Sequence, residues 1–173
     1  MDNIIKYLRY DWPLHFVLLL TNWLPDNVLF LRLRGWLAHW FFGGCGENLR
    51  LGRNINFYNP STVFLGSDVY ISYGCFILSI GEITIGDEVL FGPYVVLSAG
   101  DHTRKDGSYR YGIKTESIIT IGDGSWIGSH ASILGSSTIG KGSIVGAQSC
   151  VIKGNYQDNI LLAGVPAIPK KNL

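Results

Sequence analysis

The chain has 173 residues, of which 47% are hydrophobic, and a formal net charge of +1 at pH 7. This length corresponds to about one domain, and the apolar content excludes an extensively disordered chain. The small net charge gives no electrostatic reason to expect nucleic acid as a partner, and the three cysteines, odd in number and without a CxxC pair, predict neither a disulfide framework nor a zinc site.

Residues 1–44 differ in residue composition from the rest of the chain and are interpreted as an amphipathic helical leader. They contain four of the five tryptophans and almost no glycine. The pattern predicts two helices interrupted near Pro25, with Asp26 as the N-cap of the second and Gly43-Gly44 as its end. The apolar run at 16–20 is too short to span a bilayer, and the charged residues before it, with no small-residue cleavage site after it, argue against a signal peptide.

Two interpretations of the leader stay open, and they are compatible. In one, the helices cap the end of the following coil or pack on a partner subunit. In the other, residues 1–43 lie in a membrane interface, with Lys6, Arg9, Arg32 and Arg34 toward anionic head groups. The expected location is therefore the cytoplasm, with peripheral contact at the inner face of the cytoplasmic membrane under the second interpretation.

Residues 45–154 carry a six-residue period, which predicts a repeating coil. In the second half, glycine often follows an aliphatic residue that recurs at every sixth position, namely Ile121, Ile127, Ile133, Ile139, Val145 and Val151. The same phase runs upstream from Leu51 to Leu97 with two slips of eight residues. The period fits neither a helix nor a single strand, and it indicates short strands joined by sharp corners.

The repeat has a simple physical meaning. An aliphatic side chain that points inward at each sixth position stacks on its equivalent in the next coil, about 4.8 Å away. Glycine, Asn or Asp directly after it is expected to supply the positive φ that a tight corner demands. Each coil contacts only its neighbours, so the ends require caps.

Two segments depart from the period. Residues 98–116 are predicted to form a loop that leaves the coil and carries His102, and loops of this length inside a compact repeat are usually functional. Residues 155–173 are predicted to form a tail outside the coil, with a Gly-Val-Pro run at 164–166 and a basic end at Lys170-Lys171.

Three runs resemble the hexapeptide-repeat acyltransferases, and within them the sugar O-acetyltransferase branch that includes maltose, galactoside and colanic-acid-type acetyltransferases. The runs are Ile121-Gly122-Asp123-Gly124-Ser125-Trp126-Ile127-Gly128, Val145-Gly146-Ala147-Gln148-Ser149 and Ala163-Gly164-Val165-Pro166-Ala167. The resemblance implies a mainly β fold, a left-handed parallel β-helix, assembled as a homotrimer. It also implies acetyl-CoA as co-substrate in the groove between adjacent subunits, and no metal.

The same resemblance assigns roles to individual residues. It implies that His102 is the catalytic base, whereas His130 is interpreted as a solvent-facing turn residue and His15 and His39 as residues of the leader. Tyr94 stands where many relatives carry an asparagine that touches the acceptor sugar, so it is expected to bind the acceptor. The resemblance implies CoA contacts from Trp126, Gly128, Ser129, Ala147, Lys153 and Lys171.

The predicted function is acetyl-CoA-dependent O-acetyl transfer to a sugar hydroxyl in the biosynthesis of a surface polysaccharide or other glycan. The acceptor is expected to be either a small molecule or a lipid-linked glycan. Two alternatives stay open: amino-sugar N-acetylation, and a coil that serves only as a non-catalytic scaffold. A metal-dependent carbonic anhydrase on the same coil typically needs an H-x4-H pair, and this sequence has none.

Overall fold

A computed structural model describes residues 2–173, and the leader is helical from its first described residue. Its elements are helix α1 Asp2–Lys6, a π-helical turn Tyr7–Asp11, helix α2 Trp12–Thr21, helix α3 Val28–Ala38 and a 3-10 turn His39–Phe41. The first three follow one another without a break. The leader therefore contains two helical rods, as predicted, with the interruption at 22–27. Among residues 2–173, no helix is long and apolar enough to cross a membrane.

The predicted ends of the second rod are wrong by a few residues. Asn27, rather than Asp26, is the N-cap of α3, because its side chain accepts a hydrogen bond from the N–H of Phe30 at 3.1 Å. The carboxylate of Asp26 instead pairs with the guanidinium of Arg34 at 2.9 Å. Helix α3 ends at Ala38, five residues before Gly43.

Arg34 joins the leader to the coil, which contradicts its predicted place among membrane head groups. Its side chain is fully buried and donates to the carbonyl oxygens of Leu51 at 2.5 Å and Leu24 at 2.9 Å. Together with the Asp26 pair, these bonds tie α3, the interhelical turn and the first coil to a single cation. A buried charge is stable only when its donors are satisfied in this way.

The strands of the coil are short and regular. In chain order they are β1 Gly44–Cys45, β2 Arg50–Leu51, β3 Asn56–Tyr58, β4 Val63–Leu65, β5 Tyr70–Ile71, β6 Phe76–Leu78, β7 Glu82–Ile85, β8 Leu90–Phe91, β9 Val96–Ser98, β10 Gly100–His102, β11 Lys114–Glu116, β12 Ile118–Ile121, β13 Trp126–Ile127, β14 Ser132–Leu134, β15 Ser137–Ile139, β16 Ile144–Val145, β17 Cys150–Val151, β18 Gly154–Tyr156, β19 Ile160–Gly164 and β20 Ala167–Asn172.

Apart from the separate pair β10 and β11, these strands form three sheets, and the chain visits them in rotation. The first face is β1-β4-β7-β12-β15-β18, the second is β2-β5-β8-β13-β16-β19-β20, and the third is β3-β6-β9-β14-β17. Every pairing between successive coils is parallel, which confirms the predicted parallel β-helix. We name the corner between the first and second faces the first edge, the next corner the second edge, and the corner between the third and first faces the third edge.

The predicted stacking of aliphatic side chains is confirmed. On the second face, five fully buried residues lie in register through the coil, namely Leu51, Ile71, Phe91, Ile127 and Val145. The core is thus a column of like side chains at the inter-strand spacing, because one sequence period equals one face of the prism.

The predicted reason for the glycines is wrong. Glycines directly after the inward residues, such as Gly92 and Gly128, are not among the residues with positive φ. A Cβ at Gly128 would lie 2.6 Å from the amide nitrogen of Ala147 in the next coil, so close approach between coils is what requires glycine. The positive φ falls two residues later, for example at Tyr94 and His130.

The loop and the tail are both more ordered than the sequence predicts. The loop is an antiparallel hairpin of β10 and β11, in which His102 pairs with Lys114. The stretch 155–173, predicted to leave the coil, continues it through β18 on the first face and β19 on the second. β20 then folds back antiparallel on β19. The buried side chains of Ile160 and Leu162 explain this extension. Alternate residues of β19 still point into the core, although the six-residue sequence period has ended.

Carboxylates at the first edge accept hydrogen bonds from backbone N–H groups of the preceding coil. Asp87 accepts from the N–H of Ser67 at 2.7 Å, and Asp123 accepts from the N–H of Asp87 at 3.0 Å. Asp158 continues the series by accepting from Lys141 at 2.8 Å. These side chains satisfy the corner amides, so this edge has a structural explanation within the chain.

Candidate active site

His102 lies on the hairpin that leaves the third edge. It is the last residue of β10, it is exposed, and its N–H donates to the carboxylate of Asp101 at 2.7 Å. The same hairpin exposes three large side chains, Tyr109, Tyr111 and Ile113. An exposed apolar cluster next to an imidazole is typical of a surface that contacts another molecule.

Trp126 lies on the second face and points outward. It is 50% exposed, and its neighbours in register are Leu90 and Ile144 on the adjacent coils. The outward neighbours of the indole on this face are therefore apolar, which suits it to contact a ligand chain or a second protein.

Gly128, Ser129 and Ala147 lie together at the second edge, immediately beyond Trp126. The N–H of Gly128 donates to Val145 in the next coil at 2.7 Å, and the carbonyl of Ser129 accepts from Gln148 at 2.9 Å. The structure thus brings four of the six predicted CoA-binding residues into one neighbourhood spanning two coils.

Tyr94 lies on the same edge, one coil before Ser129. Its side chain is 46% exposed, and its ring stacks on that of His130 at 5.0 Å between centroids with a 19° interplanar angle. Tyr73 meets it edge-on at 5.4 Å. Partial desolvation and the neighbouring Tyr73 raise the pKa of the Tyr94 phenol.

His130 is the solvent-facing turn residue that the sequence predicts, and it makes one contact that the sequence analysis missed. It occupies a corner with φ of 59°, it is exposed as predicted, and its ring stacks on that of Tyr94. The signal that could have found this contact is the phase of the repeat, because Tyr94 and His130 each follow an inward residue, Phe91 or Ile127, by three places.

The remaining predicted residues lie elsewhere. Lys153 is exposed at the third edge, the same edge as the hairpin, between β17 and β18. Lys171 is exposed on β20, in register with Leu161 at the end of the second face. A cleft of about 660 Å³ lies between α3 and the first coil, and none of the predicted site residues lines it.

Within one chain, the predicted site falls into two groups. Trp126, Gly128, Ser129, Ala147 and Tyr94 lie on the second face and second edge. His102 and Lys153 lie on the third edge, and in a three-sided prism this edge is opposite the second face. The structure therefore does not bring the imidazole to the indole within a single copy.

Comparison with known proteins places this geometry in a family. Residues 118–153 match the family model described as bacterial transferase hexapeptide, six repeats. The structure superposes on a galactoside acetyltransferase in complex with coenzyme A with a TM-score of 0.82 and 32% identity, covering 96% of this chain and 80% of that one. This chain belongs to the hexapeptide-repeat acyltransferases.

Two curated members of the family show the range of similarity. Galactoside O-acetyltransferase of Escherichia coli K12 is 36% identical over 72% of this chain, and the chain spans 61% of that enzyme's length. The Escherichia coli K12 protein WcaF, assigned by its name to acetyl transfer in colanic acid biosynthesis, is 29% identical over 84% of this chain and 77% of its own length. The match to this chain covers only 53–61% of the length of three curated relatives, among them the galactoside O-acetyltransferase of Escherichia coli K12.

Proposed function

We propose that this protein is an acetyl-CoA-dependent O-acetyltransferase that acts on a sugar hydroxyl, with His102 as general base. The observation that carries the proposal is the similarity, in sequence and fold, to a galactoside acetyltransferase whose structure contains coenzyme A. The exposed imidazole on the hairpin supplies the group that such a reaction needs.

The reaction is a direct transfer. His102 takes the proton of an acceptor hydroxyl as its oxygen attacks the thioester carbonyl, and a tetrahedral intermediate forms. Collapse breaks the C–S bond, and the thiolate of CoA leaves and takes the proton from the imidazolium. The N–H of Gly128 already donates to Val145, so the N–H of Ser129 is the proposed donor to the oxyanion.

The proposed assembly is a homotrimer whose clefts are shared by two subunits. The two groups of site residues lie on opposite sides of one prism. In the proposed ring of identical subunits, the third edge of one copy would lie against the second face of the next. The exposed Tyr111 and Ile113 of the hairpin and the exposed Leu90 and Trp126 of the second face would then be buried together.

In this cleft the predicted CoA contacts have distinct roles. Trp126 borders the pantetheine arm, and Gly128, Ser129 and Ala147 line it with backbone and hydroxyl groups. Lys153 shares the edge of the hairpin and would meet the phosphates as a point charge, and Lys171 would do the same from the end of the second face. Tyr94 binds the acceptor through its neutral phenol.

Thiol release from acetyl-CoA over a panel of sugars and lipid-linked glycans tests the proposed function. We expect CoA release that depends on an acceptor, with a product whose acetyl group is removed by mild alkali, as an ester is. An alkali-stable product would establish the amino-sugar N-acetyltransferase instead. Absence of CoA binding by calorimetry would contradict both and favour a scaffold.

We propose further that the leader contacts the cytoplasmic face of the membrane, which would give access to a lipid-linked acceptor. The outer side of α2 and the turn after it present Trp12, Phe16, Leu19, Leu20 and Trp23, all of them exposed. Lys6, at the start of the same helical rod, and Arg32, on α3, are exposed cations of the leader. An apolar helical face with basic flanks is typical of interfacial helices.

Liposome co-sedimentation tests this contact. Full-length protein is expected to bind vesicles that contain anionic lipid, and the double variant Leu20→Asp/Trp23→Asp is expected to lose at least about tenfold in binding, because two large side chains no longer enter the acyl boundary. Val165→Asp, a similarly exposed apolar position on the turn between β19 and β20, is the matched control. Equal sedimentation of both variants, or none by the wild type, would rule out the membrane contact.

A further inference from the structure

The second edge carries a row of aromatic rings that the transfer step does not require. We name Tyr73, Tyr94 and His130 the aromatic ladder. Each lies in a successive coil, and neighbouring ring centroids are 5.4 Å and 5.0 Å apart. Three rungs at the inter-strand spacing make a surface about 10 Å long.

The ladder is maintained against a conformational cost. Tyr94 and His130 both have φ of 59°, a region that bulky side chains avoid. The equivalent corner positions in the two preceding coils hold Asn54 and Gly74, which adopt it readily. The same φ recurs at Gln148 in the next coil, so the corner itself demands this conformation, and Tyr94 and His130 place rings at positions where Asn or Gly would be less strained.

Gly74 also makes room for the ladder. A Cβ at this glycine would lie 2.6 Å from Cδ1 and Cε1 of Tyr94, so the phenol ring lies directly over the bare backbone. The position of the Tyr94 ring is therefore fixed by its packing on the backbone of Gly74.

Polar groups border the rings. The side-chain amide of Asn54 donates to the Tyr73 hydroxyl at 2.6 Å, and the guanidinium of Arg53 lies 5.7 Å from the Tyr73 ring centroid. The surface thus combines exposed parts of the Tyr94 and His130 rings and the half-exposed Tyr73 with donors and acceptors at their margin. The first edge has no such surface, since its carboxylates already bond the backbone.

We infer that the aromatic ladder is an extended saccharide subsite, and that the acceptor is an oligosaccharide of at least two sugar units. This inference rests on the proposed function and specifies its substrate class. A pyranose has an apolar C–H face rimmed by hydroxyls, which matches aromatic rings bordered by polar groups. The acetylated sugar lies at Tyr94, beside Ser129, and the next sugar toward the leader lies against Tyr73.

Binding measured without acetyl-CoA tests the subsite. The probes are the glucose, galactose and N-acetylglucosamine series from one to four units, and the dissociation constant is measured by calorimetry on the full chain. In at least one series we expect affinity to rise roughly tenfold from one unit to three, the size of one good stacking contact. Tyr73→Ala is expected to remove that gain and leave binding of the single sugar and of acetyl-CoA unchanged.

Two variants control for folding and for loss of any tyrosine. Tyr73→Phe keeps the ring and is expected to keep the gain with length. Tyr58→Ala removes an exposed tyrosine from the third face and is expected to change nothing. The inference is overturned if no series gains affinity with length, or if Tyr73→Ala retains the gain. Length-dependent binding without CoA release from any acceptor would instead contradict the proposed function alone.

Discussion

Replacement of His102 by alanine is expected to lower kcat by about 10²–10⁴-fold, the usual contribution of a general base. No other histidine among residues 2–173 lies on the hairpin, and the residue paired with His102 across the two strands is Lys114. The imidazole side chain is exposed, so its loss leaves no cavity and no buried partner. The measurement is acceptor-dependent thiol release at saturating acetyl-CoA.

Two controls separate loss of chemistry from loss of structure. The variant is expected to bind CoA with wild-type affinity by calorimetry and to elute at the wild-type oligomer mass. Lys114→Ala, on the opposite strand of the same hairpin, is expected to keep most activity. A His102→Ala protein with near wild-type turnover would remove His102 from the mechanism.

Replacement of Arg34 by alanine is expected to lower the free energy of unfolding by about 3–5 kcal/mol, the cost of breaking a buried pair from one side. The guanidinium is completely buried and serves the carbonyls of Leu51 and Leu24 as well as Asp26. Its removal leaves these oxygens without their donor and opens a cavity between the leader and the coil. Denaturant unfolding followed by tryptophan fluorescence measures the change, since four tryptophans lie in the leader.

Arg32→Ala is the matched control for this prediction. Arg32 lies two residues away on α3 and is exposed, so its replacement is expected to change stability by less than about 0.5 kcal/mol. Equal effects of the two substitutions would mean that the leader is held by general apolar packing and that the buried cation is dispensable.

The regular part of the fold is readable from the sequence because one period corresponds to one face. The spacing alone predicts that residues such as Ile121 and Ile127 point inward, and their parallel register with the preceding coil confirms the predicted stacking. The role of the following glycines is not readable in this way. Gly128 is fixed by a close approach to Ala147, nineteen residues later in the chain, and such contacts between coils have no local signature.

In the leader, the helices are predictable from the sequence but the long-range contacts of their charged side chains are not. Helical segments are predicted correctly from composition, but the place of Arg34 is not, because an arginine on a helix looks the same in sequence whether it meets solvent or buried carbonyl groups. Asp26 illustrates the same point, since its pairing with Arg34 displaces the cap function to Asn27. Burial of a charge depends on partners far along the chain.

In the candidate site, the individual residues are predictable from the sequence, whereas their positions relative to one another are not. His102 is conspicuous in sequence because a loop interrupts the period, and Trp126 because it lies within a repeat motif. Their placement on opposite sides of the prism follows only from the order of the three faces. The contact of Tyr94 with His130, thirty-six residues apart, likewise appears only when the coils are stacked.

Mixed trimers test the shared cleft most directly. His102→Ala and Trp126→Arg subunits are co-expressed with different tags, and only assemblies that carry both tags are purified. Each variant alone is expected to be inactive, because every cleft lacks either its base or its binding face. In a three-membered ring of both, one cleft has both groups intact, so mixed assemblies are predicted to recover about a third of wild-type activity. Mixed assemblies as inactive as their parents would contradict a site built from two subunits.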